Sequence, residues 1–223
     1  MSALAQRDLP KADRVHAVLR RRIRDLDLPP GAPLRKEEIA LEFGVSRAPV
    51  SEAIARLAEE GLAEVFPQHG SFVARIRAED VREGLFIRTA LEVEAARRAA
   101  ALRDPGLCAQ LAENISGQEA ALADGDLQRF YELDEALHET IFRAVGQARV
   151  RRYLEAARAP LDRMRRLTLP TGQRPQATLS EHRAIVEAVM SGDPEFAGAA
   201  MRAHLAAVAR AVEEQLSRSE EIR

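Results

Sequence analysis

The chain has 223 residues, a length that fits two modest domains better than one. Hydrophobic residues make up 46% and charged residues 30%, as in a soluble globular protein, while aromatics at 4% and the absence of tryptophan argue against a broad aromatic-lined binding surface. The single cysteine, Cys108, excludes an internal disulfide framework and a multi-cysteine zinc site, and the formal charge of −2, nearly balanced on both sides of Arg75, means that a nucleic-acid role must rest on local motifs.

Met1 to Pro10 lacks the basic-then-apolar layout of a secretion signal, and no apolar run reaches the length of a bilayer span. These features predict a cytoplasmic protein with no membrane role. The first helix is expected over Lys11 to Leu26, with Val15, Val18, Leu19, Ile23 and Leu26 on one face. Leu28-Pro29-Pro30-Gly31 stops it, and a short helix follows over Lys36 to Phe43. Gly44 breaks the chain and Ser46 offers an N-cap. Pro49 falls in the first turn, and a third helix runs to about Glu59, with Val50, Ile54 and Leu57 inward and Gly61 placed for a C-terminal cap. Val65, Phe66, Phe72 and Val73 flank Pro67-Gln68-His69-Gly70 as in a two-stranded hairpin. Three helices and a hairpin predict a winged helix over residues 1–77.

Beyond Ala78 the pattern becomes long amphipathic helices, broken at Asp104-Pro105-Gly106, Asp124-Gly125-Asp126, Gly146, Pro170 to Pro175 and Gly192-Asp193-Pro194. About six helices and no strands predict an all-α antiparallel bundle over residues 78–223, so the whole chain is expected to be mainly α.

The second helix of a helix-turn-helix presents its N-terminal residues to base edges. Here those are Ser46, Arg47, Ala48, Pro49 and Ser51, and the Arg47 guanidinium suits guanine O6 and N7. A helix pair buried in another fold, with Arg47 merely solvated, is the competing reading. In the second half His138, His182 and His204 each lie on the apolar side of a predicted helix, and Asp134 sits one turn before His138. A single such histidine is usually a hydrogen-bonded core residue, whereas three with a carboxylate suit a shared divalent ion. Arg88 shares a face with Leu85, Glu92 and Ala95, and it could serve either a ligand or an i,i+4 pair with Glu92.

Leu28-Pro29-Pro30-Gly31, Leu34-Arg35, Gly44-Val45-Ser46-Arg47-Ala48-Pro49-Val50, Glu52-Ala53, Leu57, Glu60-Gly61-Leu62 and Gly70-Ser71-Phe72-Val73 together resemble the GntR family of bacterial regulators. The resemblance implies a recognition helix in the major groove and a wing tip at His69-Gly70 near the minor groove; Arg35 and Arg56 are further candidates in this sequence for DNA-backbone contacts, with simple surface solvation as the competing reading. Ser51 departs from the family pattern, standing where an arginine is common. The second half resembles the metal-binding C-terminal domain of the FadR branch, and six helices point to its VanR-like subgroup. That resemblance implies a divalent ion (Zn, Ni or Mn) held by Asp134, His138, His182 and His204, and Arg88 gripping a small organic acid.

The expected protein is thus a homodimeric, operator-binding regulator, a repressor by preference, controlled by a carboxylate effector. The alternatives are a metal-dependent hydrolase, for which His138-Glu139-Thr140-Ile141-Phe142 lacks the second histidine of a zincin, and a DNA-free metal-binding or scaffolding protein.

Overall fold

The computed structural model describes residues 10–167 and 174–218. Most of the predicted break at Pro170 to Pro175 lies outside them. The chain divides into two compact units, the first running to Val81 and resuming at Ala159, the second taking Arg82–Arg158 and the last two helices.

In the first unit α1 (Lys11–Arg24), α2 (Lys36–Phe43) and α3 (Arg47–Glu59) precede an antiparallel hairpin of β1 (Ala63–Phe66) and β2 (Gly70–Val73). α1 forms because Val15, Leu19 and Ile23 recur at helical spacing, and all three are buried. It ends two residues before the predicted Leu26, which adopts φ +65 outside the helix. Gly44 ends α2 in the left-handed conformation at φ +62, and the Val45 N–H returns to the Ala40 carbonyl, which fixes the turn into α3. Leu57, Val50 and Ile54 point from α3 into a core shared with Leu19, Ile23 and Leu62.

One pairing escaped the sequence reading. After Pro29-Pro30-Gly31 the chain lies along the free edge of β2, with Leu34 N–H on the Ser71 carbonyl (2.7 Å) and Val73 N–H on the Ala32 carbonyl (2.8 Å). That strip ties the start of α2 to the wing. Ala159 packs in the same core, and Arg163, 1% exposed, donates to the carbonyl of Ala74. Burial pushes the Arg163 guanidinium down to about 10, which still leaves it charged near neutral pH.

The second unit is helical: α4 (Ala78–Leu102), α5 (Pro105–Ala123), α6 (Leu127–Ala144), α7 (Ala148–Leu167), α8 (Arg174–Ser191) and α9 (Pro194–Arg218), with α4 and α7 contributing to both units. Asp104 caps α5 through the Gly106 N–H (2.8 Å) with Pro105 at the first position, and Asp126 caps α6 through the Arg129 N–H (2.9 Å). α5 packs on α6 and α8, and α8 on α9. Leu111, Phe130, Leu137, Ile141 and Ile185 fill the space between. No helix among the described residues is long and apolar enough to cross a membrane.

α4 and α7 approach each other at Gly84, where an added Cβ would lie 2.1 Å from the Ala157 carbonyl oxygen. Neither backbone can yield without moving its helix. Gly84→Ala should therefore destabilise the second unit by ~1–3 kcal/mol, as overpacking does. Urea unfolding of the full chain checks this, and an unchanged midpoint would refute the close approach.

Candidate functional site

α2, the Gly44 turn and α3 make the helix-turn-helix. Ser46 takes the N-cap position with extended backbone (φ −75, ψ 171), but its side chain makes no capping hydrogen bond, contrary to expectation. Of the two N–H groups that an N-cap oxygen can reach, those of the second and third helical residues, Pro49 removes the third and leaves only that of Ala48. Ser46 is exposed beside the first turn of α3.

Arg47 opens α3 with its side chain 70% exposed, 3.2 Å from Glu37, and Arg35 is 65% exposed, 2.9 Å from Glu38. Exposed pairs of this kind contribute only ~0–1 kcal/mol. Both arginines can therefore exchange their carboxylates for phosphate or base edges. Ala48 is exposed, and Pro49 and Ser51 are half-buried. Arg56 behaves differently. It lies nine residues beyond Arg47, ~13 Å along the helix, and is hydrogen-bonded to Asp13 of α1. The structure thus sets it apart from the other candidates. His69 and Gly70 are exposed at the wing, where the His69 ring bonds the Pro67 carbonyl (3.0 Å) and Gly70 has φ +104. A cleft of about 470 Å³ joins them to the start of α2, lined by Arg35, Lys36, His69, Gly70 and Phe72.

In the second unit the three predicted histidines converge. His138 (α6), His182 (α8) and His204 (α9) are at most 2% exposed, and one nitrogen of each lies within 4.8 Å of the others. Asp134 Oδ1, also buried, is 3.5 Å from His138 Nε2 and 3.6 Å from His182 Nε2. These separations exceed a hydrogen bond and are close to the ~3.0–3.4 Å between two atoms bound ~2.1 Å from one ion.

The outward nitrogens explain the ring orientations. His182 Nδ1 donates to Gln118 Oε1 (2.8 Å), and the Gln118 amide is itself oriented by donating to Asn114 (2.7 Å), which donates to the Leu133 carbonyl (2.9 Å). His204 Nδ1 donates to Glu181 Oε2 (2.7 Å). His138 Nδ1 lies 2.6 Å from Glu92 Oε2, though off the line of a hydrogen bond, so both nitrogens of this buried ring lack a hydrogen-bond partner. With Nδ1 directed to an outer acceptor, each imidazole presents Nε2 to the centre, the tautomer a metal requires. Burial drives the His204 imidazole down to about 4 despite the pull of Glu181, which keeps it neutral. Three imidazole nitrogens and one carboxylate fit a divalent ion, and they do not choose among Zn, Ni and Mn.

Arg88 is buried as expected, and its guanidinium grips Glu92 (Nε to Oε1, 2.8 Å). Arg158 of α7 reaches the same oxygen at 3.1 Å. Burial alone would raise the Glu92 pKa, but Arg158, Arg88 and His138 outweigh it and hold the carboxyl well below its usual range. Gln118, Glu181 and Arg158 were missed as parts of the site, and Glu92 was foreseen only as the i,i+4 partner of Arg88, a pair that forms. Gln118 carried a signal, a polar residue in register with the buried Leu111 and Ile115. Glu181 had none that spacing could reveal.

A winged helix-turn-helix joined to a helical bundle with a buried polar cluster defines a DNA-binding regulator with a sensing domain. Residues 11–73 match the model of the bacterial regulatory proteins of the gntR family and residues 83–207 that of the FCD domain, so the chain belongs to the GntR family with an FCD domain at its C-terminal side. It is 39% identical over 208 residues to an HTH-type transcriptional regulator of Streptomyces ambofaciens, covering 93% of this chain and 87% of that one. It is 34% identical over 203 residues to the HTH-type transcriptional repressor RspR of Escherichia coli K12, covering 91% and 89%. Escherichia coli McbR/YncC shares the fold with a TM-score of 0.81 at 19% identity, over 93% of this chain and 99% of that one. The chain is a transcriptional regulator, which sets aside the hydrolase alternative, and Phe142, where a zincin would have histidine, is a buried core residue.

Gln118→Leu should remove the acceptor of His182 Nδ1 and leave a buried N–H unsatisfied, at ~1–3 kcal/mol. Urea unfolding reads this loss, and a variant as stable as the native protein would show that Gln118 does not orient the ring.

Proposed function

We propose that this protein is a repressor that binds a short palindromic operator as a homodimer and changes operator affinity when a small organic acid binds at a divalent ion in the helical domain. DNA reading falls to residues 1–77 and sensing to 78–223. The observation that carries the proposal is the convergence of three buried imidazoles, each with Nδ1 turned outward and two of them, His138 and His182, with Nε2 within 3.6 Å of Asp134. Asp134, His138, His182 and His204 would hold the ion, which supplies positive charge to a carboxylate oxygen, and Arg88 would grip the acid. The repressor assignment is supported by the name of the Escherichia coli relative.

On the DNA side Ser46, Arg47, Ala48, Pro49 and Ser51 face the major groove, His69 and Gly70 the minor groove, and Arg35 a phosphate. Arg56 is the weakest of the contacts, since Asp13 already holds it. A homodimer is required because one recognition helix reads too few base pairs for useful specificity. α7 supports coupling: it is one continuous helix that gives Arg158 to the second unit and Ala159 and Arg163 to the first. Pro160, which lacks the N–H of a regular helical residue, stands at the change-over. A shift of Arg158 is passed on through the covalent chain. Coupling of ~1–3 kcal/mol is enough for regulation, and it requires the acid to bind the two DNA-binding states unequally.

Fluorescence anisotropy on operator DNA, with and without a stabilising acid, tests the reading. Arg47→Ala should weaken specific binding by ~1–3 kcal/mol, and Arg35→Ala should weaken all sequences and reduce the salt slope by ~1. Operator affinity unchanged in Arg47→Ala would sink the assignment, and an acid that binds without moving operator affinity is not the effector. For the metal, the native chain should carry one divalent ion and His182→Ala should lose it, read by elemental analysis. Full occupancy in the variant would mean that other residues hold the ion.

A further inference from the structure

Glu92 is the most heavily engaged carboxylate of the helical unit. It is 2% exposed, and its two oxygens serve different neighbours. Oε1 accepts from Arg88 Nε at 2.8 Å and from Arg158 Nε at 3.1 Å. Oε2 lies 2.6 Å from His138 Nδ1, with Arg88 Nη2 at the edge of its reach, 3.5 Å away. The other two imidazoles of the cluster take their outer partners from a neutral amide, Gln118, and from Glu181, a residue partly open to solvent. His138 alone faces a fully buried carboxylate that is also the counter-charge of two guanidinium groups.

We propose that Glu92 is the positioning residue that joins the metal subsite to the arginine subsite: one oxygen sets the ring of His138 while the other holds Arg88 and Arg158, so that an incoming carboxylate competes with Glu92 for the arginines. This rests on the metal and carboxylate reading above and deepens it. A carboxylate oxygen behind an imidazole fixes its orientation and raises its basicity toward a metal. A carboxylate between two arginines is an internal anion that a ligand of the same chemistry must displace or share. One side chain carries both tasks, so drawing the arginines toward a ligand loosens or tightens the hold on His138. The two subsites then respond as one.

Opposite effects on two probes separate this role from a merely structural one. Glu92→Gln keeps the size of the side chain and removes the charge. Zn²⁺ affinity of the full chain, measured by competition with a chelating dye, should fall 10- to 100-fold in this variant. Acetate affinity of the Zn²⁺-loaded chain, measured by calorimetry, should rise, because the arginines lose their internal competitor. Unchanged Zn²⁺ affinity, or loss of affinity for both probes, overturns the proposal. Arg158→Met gives a second reading should Glu92→Gln fail to fold: acetate binding should weaken while one Zn²⁺ per chain is retained, and loss of both again overturns it. Failure of the native chain to bind Zn²⁺ is a different outcome, which refutes the metal reading itself and this inference with it.

Discussion

Imidazoles buried in a helical bundle must find partners for both ring nitrogens, and this requirement organises the helical unit. An unsatisfied buried polar group costs ~1–3 kcal/mol, so three unpartnered rings would consume much of the ~5–15 kcal/mol of a typical domain. Gln118 from α5, Glu181 from α8 and Glu92 from α4 stand outside the rings, and Asp134 from α6 stands inside. Four helices beyond the one that carries His204 thus converge on one point. The outer acceptors answer the demand of His182 and His204, Glu92 meets His138 Nδ1 only as a close contact, and the inner nitrogen of His138 has no hydrogen-bond partner. A cation shared among them would answer the rest in a single step, which is why the cluster is better explained as a ligand set than as core polarity.

The same economy appears where helices meet backbone to backbone. Gly84 lets α4 come against the Ala157 carbonyl, one residue before Arg158 reaches Glu92. A side chain at position 84 would hold the helices apart and withdraw the guanidinium from its carboxylate. The glycine therefore matters to the site although it touches none of its polar atoms.

Much of this was legible in the sequence, and the parts that were not share a cause. Helix ends were readable because Gly44, Asp104-Pro105 and Asp126 act through local geometry. The inward direction of His138, His182, His204 and Arg88 was readable because a helix repeats every 3.6 residues. Local reasoning failed at Ser46, which takes the N-cap position without a capping hydrogen bond, Pro49 having removed one of the two donors within reach. It failed again where partners came from other helices: Arg158 on Glu92 spans 66 residues, and Gln118 on His182 spans 64. The pairing of residues 31–34 with β2 was missed because a strip holding Pro29, Pro30 and Gly31 carries no strand pattern of its own.

The DNA-facing surface follows a different rule from the buried site, since its charges are already matched. Arg47 leans on Glu37 and Arg35 on Glu38, and each carboxylate lies in the first turn of α2. With Arg47 and Arg35 as the proposed DNA contacts, binding would be an exchange, in which two exposed pairs of little value to stability give way to phosphate and base contacts. The exchanged glutamates end near a polyanion, and their repulsion offsets part of the gain. An interface of this kind has modest affinity for DNA of arbitrary sequence. Only where Arg47 finds a base edge that accepts two hydrogen bonds does the exchange become strongly favourable. Near-neutral overall charge is thus no obstacle to a DNA-binding role, because in the proposed reading the acidic residues beside Arg47 and Arg35 would weaken indiscriminate binding more than binding at the right site.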